Sequence, residues 1–244
     1  MKRKGSFFFL LLVLFYSCNS DDTPLEVLVS LEESLVGKDF VVDNVIACAA
    51  SNEDPNVVSI FLYPRSGASN INFYQTENID VDKNDFDKYV RGKGNLIDVF
   101  NGYLLKYEIV PEREKWVIVS FEEEEKIHLS NPIRLKQTSK PTEYLPENVM
   151  VQPSNMPIFT WRDGVFDDSK IYFHVVSNGN NNLLSGTYTF DKMFQYYKLD
   201  NVVLNITEQE PPTLETDQNY NFTLLAVSED NWVNLFSVVP FNIQ

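Results

Sequence analysis

Cysteine and histidine are nearly missing from this chain: two of each among 244 residues, Cys18, Cys48, His128 and His174. With Cys18 close to the start and Cys48 on its own, no disulfide framework can form, and the fold must rest on apolar burial. No His-x-x-x-His, Cys/His cluster or Gly-x-Ser-x-Gly turn is present. Zinc sites and Ser-His-Asp hydrolysis of the usual layouts therefore lack parts, and no cofactor is expected. Positive charge is also scarce, with 20 Lys and Arg against 35 Asp and Glu and a net charge of −15. Binding a polyanion depends on clustered Lys and Arg, so nucleic acid is excluded as a partner, and so is adsorption to anionic lipid headgroups. The acidity leaves calcium as the one ion the charge favours. Beyond the first 17 residues no apolar run is long enough to cross a bilayer as a helix.

Those first residues carry an address. Lys2, Arg3 and Lys4 precede an unbroken apolar run, Phe7 to Tyr16, followed by the small Ser17 and then Cys18. This is the charged, apolar and small-residue layout of a secretory signal, and the run is too short to remain as a spanning helix. Ser17-Cys18 resembles a bacterial lipobox, with Phe15 and Tyr16 where that family usually has Leu and a small residue. The resemblance implies a signal peptide over 1–17, lipid on the sulfur of Cys18 and attachment to the membrane through that lipid. Acyl chains contribute roughly 0.8 kcal/mol per buried CH₂, so a multi-chain anchor is effectively permanent. Asn19, Ser20, Asp21 and Asp22 resemble the short acidic signal that sends some lipoproteins to the outer face of the outer membrane. Residues 18–24 read as a lipidated tether. Loss of three basic residues with the signal leaves 17 against 35 acids, a mature charge of −18.

The body reads as β throughout. Short alternating or β-branched runs recur, among them Val57 to Tyr63, Ile71 to Thr76, Trp116 to Phe121, Ile171 to Val176 and Phe222 to Val227, with Asn, Asp, Gly and Pro clusters between them. No segment sustains a helical period; Asp82 to Val90 and Asp191 to Tyr197 have room for a short turn each. Ser139 to Pro146, with two prolines, breaks the pattern and is the expected linker, dividing a sandwich over 25–138 from one over 147–244.

The second half carries a further pattern. Pro157-Ile158-Phe159-Thr160-Trp161 places a Trp at the end of an early strand, and Leu214 precedes Tyr220 by six residues, with an alternating strand running on to Val227. This resembles the fibronectin type III fold. The resemblance implies Trp161 as a core plug and Leu214 and Tyr220 as a tyrosine corner whose hydroxyl bonds nearby backbone. The spacer Glu215-Thr216-Asp217-Gln218-Asn219 lacks the family's usual Pro-Gly. The expected fold class is all-β, two immunoglobulin/fibronectin type III-like β-sandwiches in tandem. Such domains adhere, space or bind, and the fold alone does not name a ligand.

Candidate chemistry is thin. Asp80, Asp82 and Asn84 begin like a calcium loop, but Asp85 stands where the turn glycine belongs and Arg91 where a bidentate carboxylate should close the site. No metal site is expected there. Cys48 lies in the apolar run Val45 to Ala50 and reads as a buried, inert thiol. Glu122 to Glu125 read as a solvated hairpin tip. Phe190, Phe194, Tyr196 and Tyr197, with Phe73 and Tyr74 elsewhere, are core candidates that could stack on a sugar if exposed, as could rings near Asn178 to Asn182. The expected function is a lipid-anchored, surface-exposed outer-membrane lipoprotein that binds a protein or glycan or acts as a spacer, without catalysis. Alternatives are an envelope-assembly subunit bound to another outer-membrane protein and a carbohydrate-active accessory protein or enzyme. Replacing Cys18 by Ala should leave the chain without fatty-acid label and move it from the membrane fraction; a variant that still labels and sediments with membranes would overturn the lipid anchor.

Overall fold

A computed structural model describes residues 29–243. The signal segment, Cys18 and the whole of the tether lie outside the described residues. The first half opens with a five-residue helix, α1 (Leu31–Leu35), and then β1 (Phe40–Val45), β2 (Ala47–Ser51), β3 (Val58–Leu62) and β4 (Ser69–Gln75). It continues with β5 (Val90–Arg91), β6 (Leu96–Val99), β7 (Leu104–Ile109), β8 (Trp116–Glu123), β9 (Lys126–Ser130) and β10 (Ile133–Arg134). The second half holds β11 (Glu143–Tyr144), β12 (Val149–Gln152), β13 (Ile158–Trp161), β14 (Ser169–Asn178) and β15 (Leu183–Thr189). It ends with β16 (Met193–Gln195), β17 (Val202–Asn205), β18 (Tyr220–Ser228) and β19 (Val233–Phe241).

Each half is a two-sheet sandwich. In the first, the order β1-β9-β8-β4-β5 faces β2-β3-β7-β6, and β1 runs parallel to β9. In the second, β11-β19-β18-β14-β15-β17 faces β12-β13-β16, and β11 runs parallel to β19. The strand order of both is the immunoglobulin-like Greek key, in which alternate residues of each strand meet across the layer. Val58, Ile60 and Leu62 of β3 meet Val117, Val119 and Phe121 of β8 in the first core. Phe159 and Trp161 of β13 meet Phe222 and Leu224 of β18 in the second.

The two sandwiches are stacked face to face. The other face of β2 and β3 (Cys48, Ala50, Phe61) packs on the other face of β14 and β18 (Phe173, Val175, Leu225, Val227), so the junction is a third apolar core. Sheets covered on both sides need apolar residues at consecutive positions. That is why β18 is buried from Phe222 through Ser228, and β14 from Tyr172 through Ser177, without a polar face. The β18–β19 turn also crosses the boundary. Trp232 is fully buried in the first sandwich's core, its indole N–H donating to Lys140 O at 2.7 Å, while Ala49 N–H donates to Asn231 O at 3.0 Å. The segment expected as a linker is fastened along its length. Thr142 is buried, exchanges hydrogen bonds with Ser51 at 2.8 and 3.0 Å and donates to Val233 O at 2.8 Å.

Two local elements differ from expectation. Residues 191–197 form no helical turn: β16 pairs with β13, placing Phe194 opposite Phe159, because burying that ring outweighs the weak turn preference. Helix α1 was hidden by its length, though its capping box is explicit, Ser30 accepting from Glu33 N and Glu33 returning to Ser30 N. It covers the outer face of β8 and β9 with Leu31 and Leu35. Elsewhere Asp82 to Val90 carries one 3₁₀ turn, Phe86–Lys88, and Glu124-Glu125 close the β8–β9 hairpin with φ of 49° and 63°.

Removing a buried aromatic side chain costs roughly 3–5 kcal/mol. Trp232→Ala should therefore destabilise the first sandwich by that amount although the residue belongs to the second, and should split one cooperative melt into two. Trp161→Ala should cost as much within the second sandwich. A calorimetric trace of Trp232→Ala that keeps the midpoint and single transition of the parent would show that the sandwiches are not coupled through this ring.

Candidate ligand cavity between the sandwiches

Strand β2 reads Ala47-Cys48-Ala49-Ala50, four small side chains in a row. On its inner face this lets Ala49 bridge to Trp232 in parallel register. On its outer face it leaves space. Across the junction stand Phe173 and Tyr188, rings 4.5 Å apart, and beside Tyr188 in register lies Leu204 of the edge strand β17. The small residues do not fill the gap, and a cavity of about 470 Å³ remains, walled by Ile46, Cys48, Phe61, Leu104, Ile171 and Leu225 among others. Interiors rarely hold voids larger than a water molecule, so an opening of this size at a junction is a candidate binding site.

The rim is polar. Arg65 donates through Nε and Nη2 to Glu123 Oε2 at 2.9 and 2.6 Å, and through Nη1 to Asn44 O at 2.7 Å. Its guanidinium also lies 4.9 Å from the centre of the Phe121 ring. The Asn44 side chain reaches His128 Nδ1 at 2.7 Å, and Asn131 donates to Asp43. Hydrogen bonds from Arg65 hold the Glu123 carboxyl below its ordinary range. A smaller recess of about 240 Å³ continues from the cavity past Ile46, Tyr63 and Leu204 to Thr207 and Glu208.

Inside the cavity two titratable groups are held neutral. Cys48 keeps partial access through the cavity it lines, yet its protein surroundings push the thiol up to about 12. Burial, and then the neighbouring Cys48, raise the Tyr188 phenol well above its ordinary value. Neither group is an anion at neutral pH, so neither is a ready nucleophile.

The other residues singled out from sequence are dispersed. Trp161 is buried against Tyr172 and Phe222, with its indole N–H unpartnered. Tyr220 Oη accepts from Glu215 N–H at 2.8 Å beside buried Leu214. Asp82 caps its own turn by accepting from Asn84 N–H at 2.9 Å, Asp80 N–H is taken by Asn78, and the Arg91 side chain turns to Asn72. Among the described residues no group of three or more His, Cys, Asp or Glu is placed to hold a metal ion. Phe73, Tyr74, Phe194 and Tyr196 are core, whereas Phe190 is 65% exposed. The Asn178 side chain is occupied by the backbone of Asn180 and Asn182. Glu122 pairs with Lys38 and Glu123 with Arg65, leaving Glu124 and Glu125 at the solvated tip. Of all these, only Cys48 lies on the cavity; Arg65, Phe61 and Tyr188 were not singled out. The one signal for them was the absence of a polar face on the strands that wall the junction.

No protein-family model matches the sequence, and no curated protein matches it. Among solved structures the chain is similar to the BSP domain of a biofilm-associated protein, at 14% identity and a TM-score of 0.27, over 82% of this chain and 29% of that one. It is similar to the FN1–FN3 domains of chicken CNTN1, at 14% identity and a TM-score of 0.27, over 85% and 68%. A GH family 64 laminaripentaose-producing β-1,3-glucanase from Paenibacillus barengoltzii aligns at 10% identity and a TM-score of 0.29, over 82% and 56%. The chain thus spans less than a third of the first of these and about two thirds of the second. Likenesses this loose assign no function, and the architecture stands on its own strand order.

On the other face of β14, inside the second sandwich, His174 gives that core a pH signature. It is buried against Phe194, ring centres 4.3 Å apart, with Thr187 Oγ1 at 2.8 Å from Nδ1, and burial pushes it down to about 3 from an ordinary 6.5. The unfolded chain then binds a proton that the folded chain refuses between these values. Stability from the neutral ring is complete above pH 6.5 and falls by about 1.4 kcal/mol per unit below it. His174→Gln should flatten the slope of unfolding free energy between pH 6.5 and 4.5 and leave it unchanged above pH 7; identical slopes would mean that the ring is not buried in its neutral form.

Proposed function

We propose that this chain is a lipid-anchored binding module, held through Cys18 on the outer face of an outer membrane, that takes its ligand into the cavity between its sandwiches. The observation that carries this reading is the cavity itself, an apolar space with a polar rim at a junction stiffened by its own core. Ligand sites favour domain interfaces with this mixture of walls and rim. Face-to-face stacking favours binding over spacing, because a spacer gains reach from domains joined end to end. Binding without catalysis is supported by the chemistry of the lining, where the thiol and phenol stay protonated, the rim carboxylate Asp43 accepts from Asn131 and the Glu123 carboxylate is committed to Arg65. The acidic tether and the charge of the mature chain suit a solvated exterior.

Two measurements test the reading. Proteinase K added to intact cells should remove a C-terminal epitope from the full chain; an epitope that survives until the outer membrane is opened would place the protein on the inner face. For the cavity, Leu204 is 43% exposed at its mouth. Fractions of spent growth medium below about 1 kDa should contain at least one that raises the melting temperature of the parent and not of Leu204→Trp. A ligand at a hundred times its dissociation constant adds roughly 2.7 kcal/mol, well within reach of a thermal shift. If no fraction separates the two proteins, the cavity is not a ligand site.

A further inference from the structure

We propose that the cavity takes a neutral ring-bearing alcohol or phenol, its apolar body between Phe61 and Phe173 and its hydroxyl on the phenol of Tyr188. This rests on the cavity being the binding site and adds the class of ligand.

Size comes first. Apolar cavities of roughly 150 Å³ take up benzene. The space here is about 470 Å³, which admits a molecule of two or three fused rings. Shape and walls favour rings over a flexible chain. Phe173 and Tyr188 present neighbouring faces tilted by 31°, and Phe61 stands across the junction on the strand opposite Cys48. Aromatic faces reward offset stacking beyond simple area burial.

Charge comes next. An anion entering these walls would lose its hydration and find no free counter-charge. Arg65 is the cation on the lining, and its guanidinium is already bonded to Glu123 and to both oxygens of Asn44. Asp43 at the rim and Glu208 in the adjoining recess repel an anion. A neutral ligand avoids each of these costs.

The polar contact is the last element. Tyr188 lines the cavity, and among the described residues its hydroxyl has no hydrogen-bond partner. Tyr188 is half-buried, so its hydroxyl faces the cavity free to bond a ligand oxygen in place of water. Two tyrosine hydroxyls near the junction are bonded within the protein, Tyr107 to Ile71 O at 2.9 Å and Tyr144 to Ser51 O at 2.7 Å; Tyr63 lies nearer the mouth, shared with the adjoining recess. The Tyr188 phenol stays protonated, so it donates to an oxygen and accepts from a hydroxyl, and an alcohol uses both.

The test uses three probes that share one ring system: naphthalene, 2-naphthol and 2-naphthoate, titrated at pH 7 by fluorescence into residues 19–244, which contain the whole described fold. The parent should bind 2-naphthol about fivefold more tightly than naphthalene, the size of one ordinary hydrogen bond, and 2-naphthoate at least tenfold more weakly than 2-naphthol. Tyr188→Phe, which keeps the ring, should close the gap between naphthol and naphthalene without weakening naphthalene. Leu204→Trp should weaken both at least tenfold. A gap that is absent in the parent, or that survives in Tyr188→Phe, overturns the ligand class. So does tight 2-naphthoate binding that Leu204→Trp abolishes, although that result keeps the cavity as the site. If no probe binds in a manner sensitive to Leu204→Trp, the binding-site reading itself falls.

Discussion

Contact between the outward faces of β2–β3 and β14–β18 is the constraint on which the rest of this molecule depends. A sheet that is covered on one side can keep a solvent face and tolerate polar residues at every second position. Here both central sheets are covered twice, so their strands must be apolar almost throughout. The price is a shortage of polar surface in the middle of the chain, and the outer elements compensate. Helix α1, the 3₁₀ turn at Phe86–Lys88 and the acidic hairpin tip carry charge at the far side of the first sandwich. The same contact makes the joint stiff. Thr142 accepts from Ser51 N–H, Tyr144 donates to Ser51 O and Trp232 donates to Lys140 O of the connecting segment, so the two sandwiches hold one fixed relation.

Much of the secondary structure was legible in the chain because strands announce themselves by β-branched and aromatic runs between turn residues. Trp161, Leu214 and Tyr220 sit where the fibronectin-like pattern places them, in the core and at a corner, because such motifs encode local geometry. Relations between distant segments were less legible. Residues 139–146 carry two prolines and read as a free connector, yet Thr142 is buried, since its hydroxyl and amide satisfy Ser51 and Val233 that are far away in sequence. The cavity is harder still. Four small residues in β2 are unremarkable until the strand opposite is known, and nothing in Tyr188's neighbours marks its hydroxyl as unpartnered. A void is a property of two surfaces, and a one-dimensional pattern describes only one at a time.

The polar groups around the junction divide by task. Arg65, Glu123, Asn44 and His128 form a closed set of hydrogen bonds that fixes the loop after β3 to the β8–β9 hairpin. Such a set holds a rim in shape and leaves little for a ligand to contact. Inside, the thiol and phenol remain uncharged because burial among the surrounding side chains disfavours their anions. The rim is therefore polar and held by its own hydrogen bonds while the interior is apolar, the contrast on which the proposed binding role draws.

Placing Trp232 in the first sandwich has a consequence for how the chain is made. The N-terminal half cannot complete its core until Trp232, from the β18–β19 turn of the second sandwich, has been delivered to it. Contacts this distant in sequence form late, because closing the intervening loop costs entropy before any burial is gained. A chain threaded from its N-terminus through a narrow passage would thus keep its first sandwich pliable until the β18–β19 turn had come through, and would lock that half only then.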